Sequence, residues 1–447
     1  MSPADRHALV LGAGIAGLLA ARVLADNGFR VIILERDDAG GREGVGRGGV
    51  PQGRHLHGLL DRGRALIEEL YPGWTGELVR RGATTAEVLV DTRWYVGGSR
   101  LIPTSTGLTS VIATRTLMES VLRERTAADP NIEVRERIAV QGLIGDARSV
   151  SGVGAIGVAG PEILAADLVI DATGRGSRIM EWLSAIGAEP PAEERLDVDL
   201  GYASRMYRYR PGQLDGHASV IISTGTNGRG GGAVRVEGDR WLVTLAGMLG
   251  DHPPVESEDF HRYAANLSAP DIHEIITGTE PLDDPVRYRF RASVRRRFDR
   301  QTALPAGLIV LGDAQCAFNP LYAQGMTVAA LEAAALRDTL RSNPAPAELP
   351  ARFYATAADS VSLAWSLAAS SDLSHPGVHG PRTLRIRLTN AYVARAHRAA
   401  HHDPRVARTF MRVAHLVEPP AALGHPVTAG RIMLRGNGAA TTLSDHH

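Results

Sequence analysis

Apolar residues near the N-terminus form short runs that predict alternating strands and helices. Residues 8–11 are uninterrupted and apolar, which is typical of a strand buried on both faces of a parallel sheet. The spacing over 15–27 predicts a helix, and 29–34 predicts a second strand that is closed by Glu35. Gly28 suits the C-terminal cap of this helix. Strand, helix and strand in this order predict a parallel βαβ unit.

The pattern changes twice further along the chain. From about residue 195 to 289, short alternating segments carry aromatic side chains, which favours an antiparallel sheet with one solvated face. Before and after this region the spacing is that of helices and buried strands. Helices are predicted over 57–70, 114–125, 327–340 and most of 351–416, and strands over 132–140 and 164–170. The chain is therefore predicted to be an α/β protein with a helical C-terminal region.

The composition of the 447-residue chain excludes several kinds of protein. All 49 basic residues are arginine, which removes Schiff-base catalysis, pyridoxal phosphate anchoring and the P-loop lysine. Cys316 is the single cysteine, so there is no internal disulfide and no flavin disulfide reductase motif. A formal net charge of zero argues against a nucleic-acid partner. The length suggests two or three intertwined lobes.

One apolar stretch could be mistaken for a signal peptide or a membrane span. Residues 8–24 are interrupted by three glycines and by Arg22, and they are too short to cross a bilayer. The whole chain has 44% hydrophobic and 22% charged residues, as in ordinary globular proteins. We therefore expect a cytoplasmic protein without a membrane span.

A glycine-rich turn follows the first strand. Gly12 permits a tight turn, Gly14 lets the backbone approach a phosphate, and Gly17 lets the helix pack closely on the strand. A pyrophosphate would then lie at the helix N-terminus, where free amides and the helix dipole favour an anion. Glu35, at the end of the second strand, is placed to bind ribose hydroxyls. This combination predicts a dinucleotide site.

A late stretch indicates which dinucleotide is bound. Asp313 follows the apolar run 308–311, so its carboxylate is expected at the carboxyl edge of the sheet, within reach of a ribityl chain. A cap at a helix N-terminus is the alternative role for Asp313. Pro320 shapes the next turn, and Gly325 and Met326 precede a helix whose positive end would face N1 and O2 of a flavin. The order and wide separation of these stretches favour FAD over a simple NAD enzyme.

A third stretch lies between these two, at 167–178, where Asp171 ends another apolar run. Together the three resemble the fingerprints of the FAD-dependent aromatic hydroxylase fold, the family of para-hydroxybenzoate hydroxylase and squalene epoxidase. Residues 312–320, 324–327 and 50–58 are most similar to one actinobacterial branch. That branch contains the epoxidases of polyether antibiotic pathways, such as those of lasalocid and monensin. The resemblance covers most of the chain, including the C-terminal helices.

The resemblance implies roles for further residues. Arg115 matches the family arginine that reaches the cofactor, and Val140 matches a backbone contact to adenine. Arg47 or Arg54, from a glycine-rich loop, would lie along the flavin, with exposure to solvent as the alternative. Asp171 is expected to support the FAD indirectly. The residues expected at the FAD site are Gly12, Gly14, Ile15, Ala16, Gly17, Glu35, Arg36, Arg47, Arg54, Arg115, Val140, Asp171, Gly174, Gly312, Asp313, Pro320, Gly325 and Met326.

Three positions depart from the family pattern. Ala172 stands where many hydroxylases have glycine, Cys316 replaces a common histidine, and Ala323 replaces a frequent glycine. The last two are expected near the isoalloxazine ring, and they leave the reductant and the mobility of the flavin open. For Cys316 a buried apolar role is favoured over a covalent link to the flavin.

Histidine and aromatic residues supply further candidates. His55 and His57 could share one face of an extended segment, but no third metal ligand is evident. A binding-loop or packing role is therefore favoured over a base or a metal pair, and we expect no metal site. Aromatic residues on sheets usually belong to the core. The candidates for an apolar substrate pocket are Trp94, Tyr95, Tyr202, Met206 and Tyr207.

The resemblance implies an FAD-dependent monooxygenase. Reduced flavin reacts with O₂ to give a C4a-hydroperoxide, so the cofactor carries the chemistry and no catalytic side chain is assigned. An alkene needs proximity alone, whereas a phenol benefits from a base that is not evident here. We therefore expect epoxidation of an alkene in a large apolar polyketide or terpenoid, with aromatic hydroxylation as the alternative. NADH or NADPH would supply electrons, directly or through a separate flavin reductase.

Other activities on the same fold remain as alternatives. A tryptophan-type halogenase is disfavoured, because its Trp-x-Trp-x-Ile-Pro motif and its lysine are missing. A geranylgeranyl-reductase-like enzyme would saturate a double bond without inserting oxygen. A non-redox flavoprotein cyclase would act with oxidised flavin and no reductant. The oligomeric state is open.

The implied fold class is α/β. A Rossmann-like FAD-binding domain is interleaved with a mostly antiparallel β-sheet substrate domain, and helices follow at the C-terminus. The expected division is 1–90, 111–190 and 291–345 for the FAD-binding domain, 91–110 for an insertion of the substrate domain, 191–290 for the substrate-binding sheet and 346–447 for the helical region.

Overall fold

The computed structural model describes residues 6–38, 51–225 and 227–436, and Arg47 lies outside these ranges. The helices are α1 (Ile15–Asp26), α2 (Asp61–Leu70), α3 (Trp74–Arg80), α4 (Arg115–Ala127), α5 (Ile179–Ala185), α6 (Ser257–Ala265), α7 (Asp271–Thr277), α8 (Gly325–Arg341), α9 (Leu349–Asp372), α10 (Leu384–Ala400), α11 (Pro404–Ala414) and α12 (Pro426–Arg435). The strands are β1 (Arg6–Leu11), β2 (Phe29–Glu35), β3 (Thr84–Glu87), β4 (Thr92–Val96), β5 (Ser99–Arg100), β6 (Thr109–Ile112), β7 (Ile132–Glu136), β8 (Ala139–Gly145), β9 (Val150–Gly157), β10 (Gly160–Ala165), β11 (Leu168–Asp171), β12 (Glu193–Arg208), β13 (Ser219–Ile222), β14 (Arg229–Val236), β15 (Arg240–Gly247), β16 (Val286–Arg296), β17 (Leu308–Val310) and β18 (Cys316–Ala317).

A five-stranded sheet forms the N-terminal layer, in the order β17-β11-β1-β2-β7 with every neighbouring pair parallel. β1 is the central strand, and its last four residues are all buried. α1 is mostly buried and packs against both this sheet and α8. A strand covered on both faces has no solvated side, which explains the uninterrupted apolar run at 8–11. The predicted βαβ unit is confirmed.

An eight-stranded sheet forms the second layer, in the order β18-β16-β12-β15-β14-β13-β4-β5. Its long strand β12 pairs antiparallel with both β15 and β16. Successive residues of a strand face opposite sides. Tyr207 therefore lies with Trp241 and Phe260 in a cluster under α6 and α7, whereas Tyr202 joins the core of the parallel layer. The predicted fold class, including the antiparallel sheet and the C-terminal helices, is confirmed.

The C-terminal helices divide into two groups. α9 packs on α8 at the parallel layer. α10, α11 and α12 pack together over a separate apolar cluster, where Ala399 and Met411 meet Val88 and Leu108. Within the described ranges, every helix is too short or too polar to cross a membrane.

Several predicted elements differ in extent from the observed ones. The helix predicted over 57–70 begins at Asp61, because the amides of Leu56 and Leu60 donate to the side chains of Thr244 and Thr327 instead of to a helix. The strand predicted over 132–140 is two strands, β7 and β8. The run 164–170 is divided between β10 and β11, which belong to different sheets.

One expected domain boundary falls inside an element. β16 (Val286–Arg296) runs across the division at 290/291, because it pairs with β12 on one side and with β18 on the other. Hydrogen bonding of the sheet therefore continues through this position. The other expected boundaries stay predictions.

Candidate active site

A cavity of about 640 Å³ lies at the carboxyl ends of the parallel strands. β12 and the start of α8 form further parts of its wall. Open α/β sheets bind ligands at this edge. Most of the residues expected at the FAD site line this cavity. They are Gly12, Gly14, Ile15, Ala16, Glu35, Arg36, Arg115, Val140, Gly174, Gly312, Asp313, Pro320, Gly325 and Met326.

The turn from β1 into α1 is shaped by three glycines with different surroundings. Gly12 has a φ of +96°, and a Cβ there would lie 2.8 Å from the carbonyl oxygen of Ala172. A Cβ on Gly17 would lie 1.9 Å from the carbonyl oxygen of Gly12, so Gly17 allows the helix to pack against the turn and does not line the cavity. A Cβ on Gly14 would meet no atom within 4 Å. The space over Gly14 is therefore open to a ligand.

This turn fits the pyrophosphate of FAD. Gly14 is the N-cap of α1, and no side chain caps the helix. The first amides of α1 and the positive end of its dipole therefore face the open space, as anion binding requires. Glu35 holds the turn, because its Oε2 accepts the Ala13 N–H at 2.9 Å and its Oε1 accepts the Asp37 N–H at 3.0 Å. A contact between Glu35 and a ribose stays a prediction.

Asp313 lies elsewhere on the cavity wall, in the turn that follows β17. Its Oδ2 is 3.7 Å from Nε of Arg175. Burial raises the pKa of Asp313, and the charges of Arg175 and Arg115 oppose that shift. The Arg175 guanidinium lies 5.2 and 5.5 Å from the ring centroids of Tyr288 and Phe290, which also line the cavity. Arg175 was not predicted, although it lies in the middle motif, four residues after the end of β11.

A buried glutamate that was not among the predicted site residues supports the turn at Asp313. Glu332 lies on α8, and its Oε2 accepts the Gly312 N–H at 2.8 Å. With the Gln315 amide oriented to donate, its nitrogen lies 2.9 Å from Glu332 Oε1. Burial raises the pKa of Glu332 to about 8 against the opposing effect of the Gly312 N–H, and Asp313 adds to the rise. Glutamates on helices usually face solvent, so no signal in the sequence marks this one.

Replacing Glu332 by glutamine is expected to weaken the pH dependence of stability. The folded-state pKa of Glu332 lies above the ordinary 4.5, so its contribution is complete below that pH and is lost as the pH rises to about 8. The loss is about 1.4 kcal/mol per pH unit within this window. Glutamine keeps the shape of the side chain and does not ionise. Urea unfolding of both proteins across the window measures the difference, and parallel pH profiles would contradict it.

Asp171 lies beneath the cavity and does not line it. It is fully buried at the end of β11, where Oδ1 accepts the N–H and the hydroxyl of Thr173 at 2.9 and 2.6 Å. Oδ2 accepts the hydroxyl of Ser177 at 2.6 Å. These bonds hold the loop that carries Gly174 and Arg175 to the cavity. In this arrangement Asp171 would support FAD binding indirectly, by holding that loop in place.

Arg115 and His57 form a polar group on the cavity wall. The Nε of Arg115 donates to Glu119 Oε1 at 2.7 Å, and Nη1 lies 3.3 Å from His57 Nε2. Nδ1 of His57 lies 2.9 Å from the carbonyl oxygen of His55. Burial, assisted by the charge of Arg115, lowers the pKa of His57 to about 3. His57 is therefore uncharged at neutral pH, and Arg115 carries the positive charge of the pair.

His55 connects the cavity wall to the antiparallel sheet. Its Nδ1 lies 2.7 Å from Ser204 Oγ, which lies 2.6 Å from Thr244 Oγ1. The imidazole centroid is 6.0 Å from the ring of Tyr202 and 5.3 Å from that of Tyr288. Burial, with a smaller effect of Arg54, lowers the pKa of His55 to about 4. Among the described residues, no cluster of histidine, cysteine and acidic side chains could hold a metal ion.

The loop between β18 and α8 is held from below by a carboxylate. Asn319 Nδ2 and the Tyr322 hydroxyl both donate to Oδ1 of Asp372, at 2.7 and 2.8 Å. Burial raises the pKa of Asp372 to about 6. Ala323 has a φ of +55°, and a Cβ at Gly58 would lie only 2.5 Å from its Cβ. The alanine that replaces a frequent glycine is therefore accommodated because position 58 has no side chain.

Cys316 lies near this loop but away from the cavity. It is buried in β18 and does not line the cavity. Burial raises the pKa of its thiol well above the ordinary value. A thiol in these surroundings is a poor nucleophile.

Four of the five candidates for the substrate pocket lie away from this cavity, and Tyr202 alone lines it. Tyr95 and Tyr207 pack with the cluster under α6 and α7, on the opposite face of the antiparallel sheet. Met206 packs with a separate small cluster, and Trp94 lies against the C-terminal helices. None of these four residues lines this cavity. Tyr95 and Tyr207 face the other side of the sheet, whereas Met206 shares a face with Tyr202 but lies farther along β12.

Arg54 also differs from its predicted position. Its side chain is exposed and does not line the cavity. Its charge acts on His55 and on Asp283, where it opposes the pKa rise that burial causes in Asp283. Arg54 therefore takes the solvent-exposed alternative.

Comparison with known proteins identifies the class that this fold and site define. Residues 5–343 match the FAD binding domain family, and the chain belongs to it. It is 31% identical to protein Rv3254 of Mycobacterium tuberculosis over 427 residues, which is 92% of this chain and 89% of that protein.

Solved structures show the same fold at low sequence identity. PqsL of Pseudomonas aeruginosa, described as a probable FAD-dependent monooxygenase, has a TM-score of 0.64 and 18% identity, over 83% of this chain and 96% of that chain. The p-nitrophenol 4-monooxygenase PnpA of Pseudomonas putida has a TM-score of 0.63 and 16% identity, over 93% of this chain and 98% of that chain. The protein is thus a flavoprotein with the fold of flavin monooxygenases.

Proposed function

We propose that the protein is an FAD-dependent monooxygenase that inserts one oxygen atom from O₂ into a large apolar substrate. A single observation carries this proposal. One cavity joins the open turn at Gly14 to an aromatic wall of Tyr202, Tyr288 and Phe290 from the antiparallel sheet. A cofactor held at the first and an apolar substrate held at the second would meet in the same cavity. The monooxygenases named among the structural relatives support the same class.

The chain's own residues would hold FAD in the following way. The α1 amides near Gly14 would bind the pyrophosphate, and Glu35 would lie near a ribose. Arg115 and Asp313, which line the same cavity, would hold the flavin part of the cofactor. The positive N-terminal end of α8, at Gly325, would favour negative charge on the reduced flavin. When FAD is bound and reduced, it supplies the chemistry that activates O₂.

The aromatic wall suits an uncharged substrate. His55 is neutral, and the charge of Arg175 lies beside Asp313. The aromatic rings of this wall would cover one side of a bound substrate and keep water from that side. The lowered pKa values of His55 and His57, about 4 and about 3, make both neutral imidazoles weak bases, so an alkene that needs positioning alone is the first candidate. We propose epoxidation of a polyketide or terpenoid alkene, as in the polyether-pathway epoxidases, with aromatic hydroxylation second.

Product analysis under ¹⁸O₂ tests this function. Candidate polyenes and aromatics are incubated with the FAD-loaded protein and NADH or NADPH, with and without a flavin reductase. Mass spectrometry is expected to show one ¹⁸O atom in the product. Comparing the reactions with and without the flavin reductase shows whether NADH or NADPH reduces the FAD directly. Saturation of a double bond without oxygen would identify a reductase instead. Turnover with oxidised flavin and no reductant would identify a non-redox cyclase, and either result contradicts the proposal.

The Gly14→Ala variant serves as a matched control for this assay. It is expected to fold but to bind FAD about two orders of magnitude more weakly, because its methyl group would occupy the open space over the turn. Oxygen incorporation that is equal in both proteins would show that the reaction does not use this cavity.

A further inference from the structure

The charge of the molecule is distributed very unevenly. The whole chain has a formal net charge of zero. Residues 381–436, which carry α10, α11 and α12, contain ten arginines and two acidic residues, for a net charge of +8. The rest of the chain therefore sums to −8. Such a separation gives the C-terminal helices a strong positive field of their own.

The two acidic residues of this segment pair with only three of its ten arginines. Asp403 pairs with Arg431 and Arg435, and Glu418 pairs with Arg412. Within the described ranges, the remaining seven arginines of the segment form no salt bridge. They are Arg382, Arg385, Arg387, Arg395, Arg398, Arg405 and Arg408.

Large apolar side chains are exposed on the same helices. On α10, Leu384 and Leu388 are 64% and 62% exposed, and on α12 Leu434 is 83% exposed. Val427 and Met433 of α12 are also exposed. An exposed apolar surface of this kind marks an interaction site more often than chance.

One contact links the exposed side of α10 to the exposed residues of α12. Leu384, Leu388 and Arg395 follow one another at four and seven residues, so they lie on one side of α10 over about 16 Å. Nη1 of Arg395 lies 3.7 Å from the sulfur of Met433, at the place where α10 meets α12. Leu434 is next to Met433. Val427 lies seven residues before Leu434, on the same side of α12 as Leu434. We call Leu384, Leu388, Val427, Met433 and Leu434 the apolar face.

We propose that the apolar face and the arginines around it bind the surface of an anionic lipid bilayer. Leucine, valine and methionine side chains on a helix lying in the interface enter the boundary of the acyl chains. Arg385 and Arg387 stand between the two exposed leucines of α10, and long arginine side chains reach the lipid phosphates from such positions. Lipid therefore satisfies both the apolar and the charged groups of this surface.

A second copy of the chain is a poorer occupant of the same face. A symmetric dimer through this face would bring two segments of charge +8 together, and like charges repel across an interface. An anionic membrane has the complementary charge. The inference goes beyond the proposed function, because binding to lipid does not require that the oxygenation occur. It would place the protein where large apolar molecules dissolve.

Vesicle flotation tests the proposal with the FAD-loaded full chain. Vesicles of phosphatidylcholine alone are compared with vesicles of equal parts phosphatidylcholine and phosphatidylglycerol. We expect at least about tenfold more bound protein on the anionic vesicles at low salt, and a large loss of binding in high salt. Equal binding to both kinds of vesicle, or to neither, would overturn the proposal.

Two double variants separate the apolar face from general surface effects. Leu388→Glu with Leu434→Glu is expected to lower binding at least about tenfold. Val158→Glu with Ile163→Glu adds the same charge at side chains that are 76% and 73% exposed in and beside β10, far along the chain from the basic segment. This control is expected to bind as the unaltered protein does. Equal loss in both double variants would overturn the assignment of the face.

Sedimentation without lipid completes the test. Bound FAD and the circular dichroism spectrum should be unchanged in both double variants, which excludes unfolding as the cause of lost binding. A dimer that forms without lipid and dissociates in Leu388→Glu with Leu434→Glu would show that a second copy covers the face. None of these measurements uses a substrate, so they stand or fail separately from the oxygenation assay.

Discussion

Replacing Gly17 by alanine is expected to prevent stable folding of the parallel layer. The added Cβ would lie 1.9 Å from the Gly12 carbonyl oxygen and 3.3 Å from Val10 Cγ1. Neither the turn nor α1 can move away freely, because β1 is central in its sheet and α1 packs against α8. We expect a loss of more than about 4 kcal/mol in the free energy of unfolding, the size seen when backbone overlaps cannot relax. Urea unfolding of the purified protein measures it.

The matched control is Gly430→Ala in α12. Gly430 is also inside a helix, but a Cβ there would meet no atom within 4 Å. Alanine at such a position is neutral or stabilises a helix by up to about 1 kcal/mol. A Gly17→Ala protein that unfolds at the same urea concentration as Gly430→Ala would show that α1 does not pack against the turn as described.

Replacing Gly14 by alanine is expected to leave the fold intact and to weaken FAD binding strongly. Gly14 has φ −77° and ψ 177°, which alanine adopts readily, and its Cβ would meet no protein atom within 4 Å. The methyl group would instead occupy the space where the pyrophosphate approaches the α1 amides. We expect FAD affinity to fall by about two orders of magnitude, or about 2.7 kcal/mol.

Two measurements distinguish an effect of this variant on folding from an effect on FAD binding. The unfolding free energy of the FAD-free protein should match that of the unaltered chain within about 0.5 kcal/mol. Titration with FAD, followed by quenching of flavin fluorescence, gives the affinity. Unchanged affinity in Gly14→Ala would show that no phosphate group lies over Gly14, and the proposed position of FAD would have to be abandoned.

The two variants together distinguish two uses of glycine in one short motif. Gly17 lets α1 pack against the turn within the protein, and Gly14 leaves room for a bound ligand. A purely structural turn would need the first and would tolerate alanine at the second. The contrast between the variants therefore tests the binding role of the turn independently of the reaction.

The neutral histidines add a consequence for pH. Burial lowers the pKa of His55 to about 4 and that of His57 to about 3. Both rings are therefore uncharged from mildly acidic to alkaline pH. Their protonation is not expected to shape the pH profile of activity near neutrality, where Asp372, with a pKa of about 6, and Glu332, with a pKa of about 8, titrate instead.

Local patterns in the sequence were sufficient for the β1-α1-β2 unit of the parallel layer. The strand, turn and helix at 8–27 are contiguous, and their apolar spacing and glycines depend on near neighbours alone. The position of Asp313 also followed from sequence, because the carboxyl ends of parallel strands meet at one edge of a sheet. For the same reason most of the expected FAD-site residues line one cavity.

Tertiary structure alone decided the rest of the site. Tyr202 and Tyr207 are five residues apart on one strand, and the pairing of β12 with β15 and β16 decides which of them faces the cavity. Glu332 gains its buried partners from the way α8 packs on the turn after β17. His55 finds Ser204 across 149 residues of chain. Such contacts depend on register and packing between distant segments, which apolar spacing within a segment does not encode.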